Sequence, residues 1–212
     1  LDLFARLRAG GDVTWEGTVR APLVDQAVFP RLEHAPLTTW VGVGGSPESV
    51  VRTARYGLPM MLAIIGGAPA RFAPYVDLYR RALVQLELPA LPVGVHSPGY
   101  VGETDEAARA EFLPAHRAVR DRIGRERGWA PLTREEFDDE VEHGSLYVGS
   151  AETVARRIAA TIRTLGVQRF DLKTSSGPLS HAAMMGSIER YGREVIPRVR
   201  ELLAEQPAAV AG

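Results

Sequence analysis

Cysteine is absent from this chain. That absence excludes disulfides, cysteine-based zinc sites and thiol nucleophiles together. Lysine is nearly absent: Lys173 is the only one among 25 Lys and Arg residues, an arginine bias read as GC-rich coding and not as mechanism. Neither charge sign dominates, with 26 acidic residues against those 25 and a formal net charge of -1. Nucleic-acid and anionic-membrane binders want a basic surface, so the balance argues against both partners. No run approaches the roughly 18 consecutive apolar residues of a membrane-spanning helix. The first residues, Leu1-Asp2-Leu3-Phe4-Ala5-Arg6, have no initiator Met and no signal-peptide pattern. They read as the inside of a helix, so the chain is expected to begin in mid-fold, as a fragment or a processed piece. A cytoplasmic location is expected.

What is present is enough apolar residue for a core: 45% of 212 residues, one large domain or part of one. Leu3, Phe4 and Leu7 mark a helix over residues 1–10, stopped by Gly10-Gly11. Residues 12–35 read as irregular. A strand is expected at Thr38–Val43, with Pro36 at its start and Gly44-Gly45 at its end. Ser46-Pro47-Glu48 is a helix start: a serine cap, a proline at the first helical position and an acidic residue at the positive end of the dipole. Further strands are expected at Pro59–Ile65, Leu91–Val101 and Arg169–Thr174. Between them lie helices over Ala70–Leu86, from Thr104 to about Arg127, and from Ser150 to Leu165. A last helix is expected over Ser180–Ala204, with Met184, Ile188, Tyr191, Val195, Val199 and Leu202 inward and a frayed tail from Gln206. Residues 128–147 carry the acidic run Glu135-Glu136-Phe137-Asp138-Asp139-Glu140 and read as an excursion from the core, either a solvated loop or a lid.

Strand then helix, four times, with near-continuous apolar strands, implies an α/β fold with a parallel sheet covered by helices. Four such units are half of a TIM-type (β/α)8 barrel. Alone they leave two open sheet edges, to be covered by a missing half or by a second copy. A self-contained doubly wound domain is the alternative.

Four segments carry a resemblance. They are Trp40-Val41-Gly42-Val43-Gly44-Gly45-Ser46-Pro47-Glu48-Ser49-Val50 with Tyr56-Gly57-Leu58-Pro59-Met60, and Leu91-Pro92-Val93-Gly94-Val95-His96 with Val101-Gly102-Glu103-Thr104-Asp105-Glu106-Ala107. The others are Val148-Gly149-Ser150-Ala151-Glu152-Thr153-Val154 and Glu194-Val195-Ile196-Pro197. In this order and spacing the chain resembles the bacterial-luciferase-like flavin-dependent monooxygenases, as the C-terminal half of their barrel and as a single partial domain over 1–212. The resemblance implies reduced FMN as cosubstrate, supplied by a flavin reductase, and transfer of one oxygen atom from O2 to a small organic substrate. It also implies a homodimer. Two alternatives stay open: an oxidoreductase using the deazaflavin F420 on the same scaffold, and a non-catalytic subunit.

The candidate site residues follow. In the Gly44–Ser49 turn, glycine lets backbone approach a ligand, and the helix start offers free N–H groups to an anion. An ordinary serine-capped turn reads the same way, and no Gly-Lys-Ser/Thr ending makes it a nucleotide P-loop. By resemblance, Gly44, Gly45, Ser46 and Ser49 hold the FMN phosphate and ribityl chain. Val43 and Met60, with Leu62 and Ile64, are candidates for a dry wall beside the flavin ring, with plain core packing as the alternative. His96 alternates with Val93 and Val95 and is expected to face the barrel mouth, as an acid/base or a structural histidine. His34, His116 and His143 read as surface residues, and His181 opens the last helix. No histidine pair has metal-ligand spacing, so no metal is expected. Asp171 and Lys173 should face inward as an ion pair, followed at the mouth by Thr174, Ser175 and Ser176, a stretch more polar than the resemblance leads one to expect.

Overall fold

The computed structural model of the protein describes residues 1–31 and 37–205, so Pro36, His34 and the tail from Gln206 lie outside the described residues. The chain opens with helix α1 (Asp2–Ala9) and an antiparallel pair, β1 (Val13–Trp15) and β2 (Leu23–Gln26). The stretch expected to be irregular therefore contains two strands. Gly17 and Pro22 cut the alternation into pieces too short to read as strands, and pairing across the turn is what makes them so.

The strand–helix repeat follows as expected for four strands, and a further helix and strand, Arg134–Glu142 and Tyr147–Gly149, were not expected. The order runs through β3 (Val41–Val43), α2 (Pro47–Arg55), β4 (Met60–Ala63), α3 (Ala73–Gln85), β5 (Val93–Val101) and α4 (Asp105–Arg127). It continues with α5 (Arg134–Glu142), β6 (Tyr147–Gly149), α6 (Ala151–Leu165), β7 (Arg169–Lys173), α7 (His181–Arg190) and α8 (Ile196–Ala204). Ser46, Thr104, Ser150 and Ser180 each cap a helix, the side chain accepting from the backbone N–H three residues on. Each cap satisfies an N–H that the first turn leaves without a partner.

Strands β3, β4, β5 and β7 pair in that order, all parallel. Sequential parallel order is the order of consecutive strands in a barrel wall, and the fold is α/β with helices packed on one face. β5 is long enough to serve two sets of partners. Its first part pairs with β4 and β7, and Gly99–Val101 pairs with β6. The exchange falls at Pro98-Gly99, where proline has no N–H to donate to a ladder. Gly99 allows the close approach of β6: a Cβ there would overlap the backbone oxygen of Tyr147.

Three apolar clusters hold the layers together. Val43, Met60, Leu62, Val93 and Val95 from the sheet pack under Val50 and Ala54 of α2 and Val76, Tyr79 and Leu83 of α3. Val101 and Tyr147 pack with Val154 and Ile158 of α6 and Val199 and Leu202 of α8. Tyr100 and Val148 pack with Phe112 of α4 and Phe137 and Val141 of α5.

Two expectations change. Residues 128–147 are not an excursion throughout: α5 is closed at its start by a capping box between Thr133 and Glu136, and Phe137 and Val141 are buried. The acidic run hid an apolar pair at i and i+4, which is one helical face. The last helix is interrupted by a π-helical turn at Tyr191–Val195. A π turn takes an extra residue, so the count of 3.6 per turn no longer carries across it. Val195, Val199 and Leu202 face inward as expected, and Ile188 is 42% exposed.

Candidate functional site

At the end of β3, Gly44 is exposed with open space where a side chain would stand, and Gly45 has φ +106, a conformation that favours glycine. The Ser46 hydroxyl accepts the Ser49 N–H at 3.3 Å and donates to Glu48 Oε2 at 2.6 Å. Arg52 donates to the Ser49 hydroxyl at 2.9 Å. The Ser46 hydroxyl and the residue's own backbone N–H hold the Glu48 carboxyl below the usual carboxylate range. The helix start therefore already binds an anion, and the anion is the protein's own side chain. A phosphate fits these donors in kind, with Arg52 as a neighbouring cation, and it would displace Glu48.

The register of the sheet places every strand residue on one of two faces, because successive side chains alternate. Toward the helices point Val41, Met60 and Val93 in one row, and Val43, Leu62, Val95 and Phe170 in the next. On the opposite, inner face the first row is Gly42, Met61, Gly94 and Arg169, the second is Ala63, His96 and Asp171, and the third is Pro98 and Lys173.

This corrects the expected flavin wall. Val43 and Met60 are 1% and 0% exposed beneath α2 and α3, and Leu62 and Ile64 are buried with them. Their side chains are core. Met60 also stands at the start of β4, away from the mouth. Apolar character alone does not tell the two faces of a strand apart when both are apolar. The inner-face residue of β4 is Met61, which packs with Trp40 over Gly94: a Cβ on Gly94 would meet Met61 Sδ at 2.8 Å and Trp40 Cζ3 at 3.2 Å.

His96 does lie on the inner face, half-buried, in the second row. Asp171 and Lys173 share that face as expected, but they do not pair. Asp171 Oδ1 accepts from Arg169 Nε at 2.9 Å, and Lys173 Nζ donates to the Ser175 carbonyl at 2.5 Å. Arg169 was legible as a same-face neighbour two residues before Asp171 and was overlooked. Its guanidinium lies 5.4 Å from the centroid of the Trp40 ring.

At the mouth, Ser176 is buried, and Gly177 lets the segment after β7 press on Val119 of α4. His116 is not a surface residue. Its ring stacks on Phe112 at 5.5 Å and meets Phe137 at 5.9 Å. Burial, then the nearby cations Lys173 and Arg120, depress its pKa. His143 is exposed, beside Glu142, and His181 is exposed at the start of α7. No cluster of three or more His, Asp or Glu able to hold a metal forms among the described residues.

The profile of one protein family, described as luciferase-like monooxygenase, matches residues 1–169. The chain belongs to the luciferase-like monooxygenase family.

Solved structures agree on the fold. The chain is similar to monooxygenase RslO1 from Streptomyces bottropensis, with a TM-score of 0.73 and 22% identity over 92% of this chain and 58% of that one. It is similar to the oxygenating constituent of 3,6-diketocamphane monooxygenase from the CAM plasmid of Pseudomonas putida, in complex with FMN, with a TM-score of 0.64 and 16% identity over 93% and 60%. It is equally similar to an F420-dependent secondary alcohol dehydrogenase, with a TM-score of 0.65 and 15% identity over 94% and 59%. The chain thus spans about 58–60% of the length of these three proteins. A search of curated proteins finds no significant match.

In this luciferase-like chain no helix among the described residues is long and apolar enough to cross a membrane. An open hollow of about 810 Å³ lies along α5, lined by Arg134, Glu135, Glu136, Asp138, Asp139 and Glu142. It is apart from the inner face.

Proposed function

We propose that this chain forms the C-terminal wall of the active site of a monooxygenase that uses reduced FMN and O2 to oxidise a small organic substrate. The observation that carries the reading is the Gly44–Ser49 turn, a glycine-opened helix start whose donors already hold a carboxylate. The flavin would supply the electrons, and O2 the oxygen atom that enters the substrate; its second oxygen leaves as water.

The residues of this chain have distinct tasks in that reading. Backbone N–H groups of the turn, the Ser46 and Ser49 hydroxyls and Arg52 bind the phosphate. Trp40, Met61 and Ala63 keep water from the inner face, where reduced flavin must be shielded. His96 stands among them as the group that takes or gives a proton. Residues 128–133 are not free to act as a lid, because the Leu132 N–H donates to Asp121 at 2.8 Å, the Trp129 N–H donates to the Gly124 carbonyl at 2.9 Å, and Arg120 and Arg127 lie over the Trp129 ring. Nor is α5, because Phe137 is buried and Glu140 accepts the N–H groups of Gly67 and Ser145 at 3.0 and 2.8 Å. A flavin reductase and a second copy of the chain are the partners of this reading.

The likeness to an F420-dependent enzyme at a matching TM-score supports a second reading, hydride transfer with the deazaflavin. One experiment separates them. The whole protein is expected to retain FMN on purification and to consume O2 when an NAD(P)H-linked reductase supplies reduced FMN. Retention of F420 with no response to reduced FMN would establish the second reading, and no binding of either would leave a non-catalytic subunit.

A further inference from the structure

Along β5 the inner-face residues His96 and Pro98 are followed by Tyr100, because side chains on one face recur every second residue. Tyr100 and its register partner on β6, Val148, lie under α4 and α5 in one buried cluster. The Tyr100 ring stacks on Phe112 at 5.5 Å, Phe112 on His116 at 5.5 Å, and His116 meets Phe137 at 5.9 Å. The two helices thus form a roof over the inner face where β5 leaves the barrel wall. The segment after β7 closes on the same helix: a Cβ on Gly177 would meet the Ala115 carbonyl at 3.4 Å and overlap Val119.

Lys173 stands just before this roof, as the register partner of Pro98. Its ammonium donates to the Ser175 carbonyl at 2.5 Å and forms no ion pair among the described residues. His116 and Arg120 of α4 lie close to it. Burial first, then Lys173, then Arg120 depress the pKa of His116, so the three groups share one field. Arg120 itself rests on the Trp129 ring at 4.6 Å and on the Ala130 carbonyl at 3.4 Å, again without a carboxylate. Carboxylates on the surrounding elements have other partners. Asp171, one row back, accepts from Arg169, and Glu111 accepts from the Tyr100 hydroxyl. Asp121 accepts the Leu132 N–H, and Glu140 accepts the Gly67 and Ser145 N–H groups. The space between Pro98 and the roof therefore carries positive charge with no acidic side chain set against it. Such a charge beside low-dielectric walls concentrates anions.

We propose that Lys173 is a specificity residue: it binds the carboxylate of a small organic acid beneath the α4–α5 roof, with the apolar body of the acid over Pro98 and Ala63. The carboxylate replaces the Ser175 carbonyl on the ammonium, a charged acceptor in place of a neutral one. Arg120 is the second cation. The site is separate from the Gly44–Ser49 turn. That turn follows β3 and Lys173 ends β7, three strand spacings away, roughly 14 Å along the sheet. Only the naming of this acid as the compound oxidised rests on the flavin reading above; its binding does not.

The test uses the side chain itself as reporter, since Lys173 is the only lysine in the chain. The whole protein, carrying isotope-labelled lysine, is titrated with benzoate and with benzamide, which share a shape and differ in charge. The lysine side-chain NMR signal, assigned by its loss in Lys173→Arg, should shift saturably with benzoate and stay in place with benzamide. Lys173→Gln should weaken benzoate binding about tenfold or more in calorimetry, the worth of a hydrogen bond between charged groups. Lys173 is exposed, so the substitution leaves the fold intact, and the wild-type titration needs no variant. No saturable shift with benzoate, an equal shift with benzamide, or an unchanged benzoate affinity in Lys173→Gln would overturn the assignment. Loss of the benzoate shift on adding FMN would overturn it too, by putting the anion in the flavin's place. A protein that retains no FMN and still shows the shift would refute the flavin reading alone.

Discussion

Glu48 shows how one side chain can make a binding site and compete for it. Its carboxylate sits on the Ser46 hydroxyl at 2.6 Å, the group assigned to the phosphate. Removing the charge while keeping the shape, in Glu48→Gln, should tighten FMN binding, since the carboxylate competes with the phosphate for the positive end of the helix. Ser46→Asp should weaken binding. Aspartate caps helices as well as serine does, so the helix stays and only the charge changes. Quenching of FMN fluorescence measures both, and unchanged affinity in both variants would place the phosphate elsewhere. His116 makes a second residue-scale prediction. Its pKa is depressed from 6.5 by burial and by Lys173 and Arg120, so the unfolded chain binds a proton more readily than the folded one. Stability should then be full above about pH 6.5 and fall as pH drops below it, levelling off once the folded-state ring is also protonated. Thermal unfolding in a pH series should show this slope, and His116→Phe, which keeps the stack on Phe112, should flatten it.

Between helices and strands, α5 is where charge pattern and packing disagree. Its composition is that of a solvated face, yet Phe137 is 0% exposed between α4 and the sheet. Phe137→Ala should cost about 3–5 kcal/mol, the range for emptying an aromatic site in a core. Thr133→Ala, which breaks the capping box, should cost about 1 kcal/mol. Urea unfolding distinguishes them; near-equal small losses would mean that α5 is a peripheral flap after all. Much of the element pattern was legible. The caps Ser46, Thr104 and Ser150 are legible from single residues because an N-cap needs only a short polar side chain before a helical period; the caps at Thr133 and Ser180 were not read. The short strands β1 and β2 were not, since pairing between distant residues creates them. The π turn was not, since backbone hydrogen bonding decides it.

For the molecule as a whole, the inner face and the outer edges of β3 and β7 are the open features. β3 pairs only with β4 and β7 only with β5 among the described residues. Unpaired edges are templates for further strands. Exposed Val19, Val24 and Phe29 near β1 and β2 add apolar surface. The 212-residue polypeptide expressed by itself should therefore self-associate, and sedimentation at rising concentration should show mass increasing. A persistent monomer would mean that the inner face is covered from within the chain.

The sequence by itself determined the repeat of strand and helix, the caps, the family, and the presence of His96, Asp171 and Lys173 on one side of their strands. Those features are local: a cap, a period and an alternation are set by neighbours in the chain. The tertiary structure decided which apolar residues are core and which face the site. It placed Val43 and Met60 under the helices and Met61 and Trp40 on the inner face. It also decided who pairs with whom, giving Asp171 to Arg169 and setting it beside His96. Register between strands far apart in sequence settles both, and an apolar strand does not announce its inner side until its neighbours and covering helices are in place.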